Sequence, residues 1–452
     1  MATIAASTTT ALVQPPSRTS RPLIGLWPEM RSDTLGLLTD VATRGDVAGF
    51  RLGTKPAVVI SAPEPIRDIL ITHPEDFEKG KFLLRVLRPV LGDGLLVSEG
   101  QLHSRQRRLI APTLGARRIR RYVDWMVEEA DTVIGSWRHD AEIDVLGEIN
   151  TLAMNIIGRI LFGAPLRDEH RLADAVTAVF EWEMKALTRP IPLPATLPLP
   201  GNRRMRAARQ LVRERIGTLV QDRSDAGDSL LDRLAAATDD TGATMPADQL
   251  LNEVLTLWGA AHETSADAQA WTVYLLARHP QVLNAVTAEV DQVLGRRAAT
   301  FDDLSRLPLC LQVFKESLRL YPPAAAMVRV ARRDTTAGRY RIRAGTIVFI
   351  CPYTLHRNPR VYDNPEEFQP DRFAADQEKH LPKQAFLPFG AGAHGCIGNH
   401  LALMEGHLIT AVLAQRVRFQ LPLNQTIRPE LLINLRPAQP LTAKVTHRNP
   451  PN

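Results

Sequence analysis

Cysteine is scarce in this 452-residue chain: Cys310, Cys351 and Cys396 lie far apart and form no CxxC pair. That argues against a disulfide framework or a zinc knuckle, and it suits a reducing cytoplasm. The first 22 residues, rich in Ala, Thr, Ser and Pro, contain no apolar run long enough for a signal sequence or a membrane anchor. They are expected to form a disordered tail ahead of a single soluble domain over 23–452, without stable membrane insertion. Length alone would favour about three domains, but no break in composition supports a cut. The apolar fraction of 44% and charged fraction of 23% match an ordinary globular protein. Net charge is a mild +6, so its distribution matters more than its size. Arg105, Arg107, Arg108, Arg117, Arg118, Arg120 and Arg121 crowd into one short helical region. No aromatic residue interleaves them before Tyr122, which argues against single-stranded nucleic acid. A solvated basic face and a docking face for an acidic protein both remain open.

Alternation and turn residues predict short strands at 49–52 and 57–61, then a helix to 72 opened by Pro63 and Pro65. Helical periodicity recurs over 101–110, 119–137, 145–162, 169–187, 203–221 and 229–237. The proline-dense stretch 188–201 reads as a loop, either a mobile cover over a pocket or a plain connector. The longest helix spans 246–278, about 50 Å at 1.5 Å per residue. Its middle, 254–261, is nearly apolar on every face and is expected to cross the interior. Helices at 280–294 and 308–321 and strands at 328–331, 339–343 and 346–350 follow, and 358–388 reads as irregular. The fold class is therefore mainly α with small β-sheets, an α+β protein.

Three groups of residues carry chemistry. Phe389-Gly390-Ala391-Gly392-Ala393-His394-Gly395-Cys396-Ile397-Gly398 presents one cysteine on a glycine-rich loop before a helix over 397–412. The glycines allow main-chain N–H groups to approach the sulfur, and a helix N-terminus lowers a thiol pKa. A deprotonated, hydrogen-bonded sulfur offered to a metal is the expected product. Midway along the long helix stands Ala260-Ala261-His262-Glu263-Thr264-Ser265. A zinc HExxH motif would need histidine at position 266, which is Ala266. Thr264 can bond back to the carbonyl of Ala260 or face a ligand, and Glu263 can pass protons. Lastly, Glu316 and Arg319 share a helix face, and Arg372, within Phe368-Gln369-Pro370-Asp371-Arg372-Phe373, is a natural third member of an ion triad.

Taken in this order, these motifs resemble those of cytochrome P450, the haem-thiolate monooxygenases of soluble bacterial type, from about Pro22 onward. F-x-x-G-x-x-x-C-x-G is met by Phe389, Gly392, Cys396 and Gly398; E-x-x-R by Glu316 and Arg319; P-x-R-F by Pro370, Arg372 and Phe373; and the acid-Thr pair by Glu263 and Thr264. The resemblance implies a long central helix over a buried haem b (iron protoporphyrin IX), with Cys396 as iron ligand and Phe389, Gly390 and Gly398 beside it. His103, Arg107, Arg329 and His394 become partners of the haem carboxylates, although His103 stands where Trp is frequent. Ala261 replaces a frequent Gly and Arg343 a frequent Pro. Glu263 and Thr264 become a proton relay, while the triad of Glu316, Arg319 and Arg372 is structural. Phe82 and Leu83, read as loop, with Ala260, Ala261, Ala325 and Met327 would line an apolar pocket for a small apolar substrate such as a terpene, fatty acid or steroid. The 56 residues after Cys396 leave no room for a fused reductase. Electrons are then expected from ferredoxin and ferredoxin reductase, docked at the arginine cluster.

Overall fold

The computed structural model describes residues 12–167, 170–189, 193–222, 227–422 and 425–449. The chain packs as two compact units, each assembled from separate segments: 1–80, 326–365 and 382–395 in one, and 81–325, 366–381 and 396–452 in the other. Where one domain from residue 23 was expected, the path leaves and re-enters each unit, a division that a linear reading of composition cannot register.

The first unit is built on a five-stranded sheet in the order Val47–Leu52, Lys55–Ile60, Ile347–Ile350, Met327–Ala331, Phe77–Glu78. Gly53, at φ +62°, makes the turn of the first hairpin. Lys55–Ile60 then pairs in parallel with Ile347–Ile350, with Ala57 opposite Ile347 and Ile60 opposite Ile350. Both strands end in β-branched and aromatic runs that are buried on both faces, as suits parallel pairing. A second hairpin, Thr335–Ala337 with Tyr340–Ile342, turns at Gly338. Residues 12–22 do not behave as the expected tail. Val13 bridges Tyr340 and Ser17 bridges Gly49, and a Cβ on Gly49 would overlap the Ser17 hydroxyl. Main-chain hydrogen bonds hold this segment, so its poverty in apolar side chains was no guide. Residues 1–11 of the expected tail lie outside the described residues.

The second unit is helical. Its axis is the helix Ala247–Arg278, which starts after Pro246 and stops at His279-Pro280. It packs against Val145–Phe162 and Asn399–Arg416. Trp258 and Trp271 are both buried on it. The Trp271 ring stacks on Tyr321 at 3.9 Å, and its Nε1 donates to the Leu435 carbonyl at 3.1 Å. Gly406 lets Asn399–Arg416 approach Pro308–Leu320, since a Cβ there would overlap the Phe314 ring. Val145–Phe162 is long and apolar enough to cross a membrane, and 61% of it is buried inside the protein. Phe82 and Leu83, read as loop, stand instead on a helix, Lys81–Leu91. Leu and Arg propensity there outweighs Pro89, which falls in the last turn. Short strands complete the unit: Glu142–Asp144, Thr442–His447 and Val417–Gln420 in one sheet, and Pro429–Leu431 with Leu435–Pro437 in a hairpin.

Candidate active site

Two glycines shape the cysteine loop. Gly390 at φ +65° and Gly392 at φ +70° lie in the left-handed region. A Cβ on Gly392 would strike the Leu70 carbonyl, and one on Gly390 would sit 3.2 Å from the Met327 sulfur. A 3-10 turn over Gly392–His394 follows, and the helix Asn399–Arg416 begins three residues after Cys396. The amide of Gly398 donates to the Cys396 sulfur. That hydrogen bond matches the sequence reading, but the direction of the pKa does not. Burial pushes the thiol up, and the Gly398 amide and the Arg107 charge offset it only in part. Desolvation outweighs a helix end here, so ionisation of Cys396 calls for a cation on the sulfur. Unlike the buried Cys310 and Cys351, Cys396 is exposed.

The middle of the long helix opens in a comparable way. Residues 253–258 and 266–276 are buried, yet Ala260 is exposed and Ala261, Glu263, Thr264 and Ser265 are half-buried. A Cβ on Gly259 would touch nothing. Thr264 Oγ1 donates to the Ala260 carbonyl at 2.6 Å. Burial pushes the Glu263 carboxyl up to about 7, against the pull of Arg436. Ser265 donates to Glu405 Oε2 at 3.1 Å, and burial pushes Glu405 up to about 7 as well. His262 turns inward, stacked on Trp258 with ring centroids 5.6 Å apart.

Glu316, Arg319 and Arg372 come together in the helical unit. Arg319 forms a two-pronged pair with Glu316, Nε to Oε2 at 2.6 Å and Nη2 to Oε1 at 2.8 Å, and Arg372 Nε lies 3.4 Å from Glu316 Oε1. Arg319 also donates to the Glu367 carbonyl at 2.9 Å, and the Gln369 amide donates to Glu316 at 2.8 Å. With Glu316 and Arg319 wholly buried, the bonds from Glu367, Gln369 and Arg372 tie the irregular segment 366–373 to the helix Pro308–Leu320.

The other residues singled out from the sequence divide between the units. His103 is buried on the helix Gly100–Ile110, with Arg107 one turn on along the same face. Arg329 lies on the strand Met327–Ala331, where Nη1 donates to the Val328 carbonyl at 2.8 Å, in the unit that also holds Phe389, Gly390 and His394. Of the pocket residues, Ala260 is open, but Ala325 is fully buried, so its methyl group packs in the core instead of lining open space. The arginine cluster is less free than its sequence suggested. Arg105 pairs with Asp239 at 2.7 Å, Arg120 with Asp302 at 2.8 Å, Arg121 with Asp228 at 2.7 Å and Arg108 with Asp240 at 3.8 Å. Sequence reading missed Glu183, Asp267, Glu405 and Arg436. Asp267 was visible as the residue four beyond Glu263, but the others come from distant segments and gave no signal.

The cytochrome P450 family model matches residues 15–444. Among curated proteins, cyclooctat-9-en-7-ol 5-monooxygenase of Streptomyces melanosporofaciens is 35% identical over 89% of this chain and 88% of its own. Cyclooctatin synthase of the same organism is 34% identical over 93% and 92%. Pentalenene oxygenase of Streptomyces avermitilis is 30% identical over 95% and 96%. A crystal structure of the cytochrome P450DA heme domain superposes with a TM-score of 0.89 at 24% identity, covering 97% of this chain and 99% of that one.

Proposed function

The chain belongs to the cytochrome P450 family and is a monooxygenase of it; from that premise we propose that it oxidises a terpene-like apolar molecule, with haem b bound through Cys396. The exposed, amide-bonded Cys396 sulfur carries this reading. The donor set fits the cofactor. A single thiol carries a main-chain N–H on its sulfur. His103 and Arg107, one turn apart on one helix, would supply charge-assisted donors for the haem carboxylates. When bound, the haem supplies the oxygen chemistry, with the thiolate donating electron density to the iron.

The protein's own work is binding, water exclusion and proton handling. Phe82, Leu83, Ala260 and Ala261 would offer an apolar surface with few polar anchors, which selects by shape. Thr264 keeps its hydroxyl on the Ala260 carbonyl at rest and can turn it toward a ligand. Glu263, held near pKa 7, is suited to both accept and release a proton at neutral pH. Relatives named for pentalenene and for cyclooctat-9-en-7-ol support the terpene-like class over fatty acids and steroids. Electrons come from a separate redox partner; we assign ferredoxin with its reductase, and a soluble, cytoplasmic setting.

Replacing the ligand tests the site directly. Cys396→Ser is expected to lose the thiolate-type carbon monoxide spectrum, and its retention would sink the assignment. A spin-state screen of the wild type should show terpenes shifting the haem at lower concentration than fatty acids or steroids. The reverse order overturns the substrate class alone.

A further inference from the structure

A second group of acids surrounds the base of the proposed relay. Asp267 follows Glu263 by four residues on the long helix, so the two carboxyls share a face. From the helix His170–Leu187 comes Glu183, 1% exposed, whose Oε2 has no hydrogen-bond partner among the described residues. Thr177 and Phe180 of that same helix join Glu263, Asp267, Asn434 and Arg436 in lining a cavity of ≈ 20 Å³. That is room for one water, and the polar lining provides partners for it.

The charges acting on the group are few. Glu183 faces Glu263, and Glu263 faces Asp267 and Arg436. Arg436 is partly drawn off by Glu430, 3.5 Å away, and its side chain is 36% exposed. The buried Glu183 and Asp267 beside the half-buried Glu263, with one guanidinium acting on Glu263 and Asp267, are not stable fully ionised, because like charge opposes like. Burial, and after it the Glu263 charge, push both Glu183 and Asp267 well up, which favours their protonated forms.

We propose that Glu263 and Asp267 form a proton-sharing carboxyl pair on a water-sized cavity, with Glu183, buried and with Oε2 unpartnered among the described residues, behind its Thr177–Phe180 wall, and that Asp267 reprotonates Glu263 during turnover. The proposal rests on the reading of Glu263 as a relay residue. Each proton that leaves Glu263 is replaced by one from Asp267 across the cavity, and the cluster recovers it from solvent on the Arg436 side. Glu183 and Asp267 are then positioning and supply residues, not catalytic ones.

Infrared titration of the haem-loaded enzyme tests this without turnover. The wild type is expected to show protonated-carboxyl absorbance at neutral pH, reduced in both Glu183→Gln and Asp267→Asn. Glu263→Gln, which removes the like charge acting on both, is expected to lower the apparent pKa of Glu183 and Asp267 by about one unit. Thr264→Ala should leave the titration unchanged while diverting turnover to peroxide. No protonated-carboxyl signal, or no shift in Glu263→Gln, overturns the cluster, and that variant decides alone if Asp267→Asn does not fold. If the titration behaves as expected but Thr264→Ala and Glu263→Gln both stay fully coupled, the relay reading fails and the cluster stands as a proton store without that role.

Discussion

At the level of single side chains, burial shifts acids and histidines of the helical unit in opposite directions, and they pull stability in opposite directions with pH. Glu253, Glu263 and Glu405 are pushed up to about 7, and His262 and His407 are pushed down to about 4. An acid whose folded pKa is raised stabilises fully below its unfolded value, near 4.3, and loses that contribution as pH rises toward 7. A histidine whose folded pKa is lowered does the reverse, gaining stability between about 4 and its unfolded 6.5. The two histidines thus offset much of the loss from the three acids up to about pH 6.5. Above it only the acids change. Stability is therefore expected to fall most steeply as pH rises from about 6.5 to 7. Glu405→Gln, which can still meet Ser265, should flatten the curve by about 1.4 kcal/mol per pH unit in the acid's range. Urea unfolding across that range is the measurement; an unchanged slope would show that Glu405 ionises freely. None of these values could be read from sequence, because Glu405 and His407 look like ordinary helix residues until packing removes their water.

Among the elements, the segment 366–373 depends on bonds that a sequence can suggest but not place. The i, i+3 spacing of Glu316 and Arg319 was visible, and so was Arg372 in a proline-rich stretch. The Gln369 amide on Glu316 and the Glu367 carbonyl on Arg319 were not, since main-chain partners carry no residue-type signal. Those bonds make removal of Arg319 far worse than removal of Arg372. Arg319→Met leaves a wholly buried carboxylate short of its main partner and should cost roughly 3–5 kcal/mol. Arg372→Met keeps the two-pronged Glu316–Arg319 pair and should cost clearly less. In Arg319→Met, hydrogen exchange at the Gln369 amide should quicken with the loss of thermal stability; slow exchange there would mean that other contacts hold the segment. The same contrast explains which elements were legible. Long helices such as 145–162 and 280–294 showed their periodicity, while Lys81–Leu91, carrying Pro89, and the three-residue strands Pro429–Leu431 and Leu435–Pro437 lacked enough turns or alternations to show any.

For the whole molecule, a net charge of +6 says less about docking than the pairing of individual arginines does. Of the seven clustered arginines, Arg105, Arg108, Arg120 and Arg121 face aspartates, and Arg107 acts on Cys396. Arg117 and Arg118 are exposed with no ion pair among the described residues. A paired arginine presents a dipole to an approaching acidic protein, whereas an unpaired one presents a full charge that salt screens over about 8–10 Å. Electrostatic steering by an acidic ferredoxin should therefore concentrate on these two residues. The double variant Arg117→Gln, Arg118→Gln is expected to slow association with the partner by on the order of tenfold at low salt. It should also lose most of the wild type's dependence on ionic strength, with the haem spectrum and substrate binding unchanged. Stopped-flow reduction at two salt concentrations reads both effects. A wild-type rate insensitive to salt would place docking on apolar contact, and a double variant that keeps the full salt slope would place it on another face.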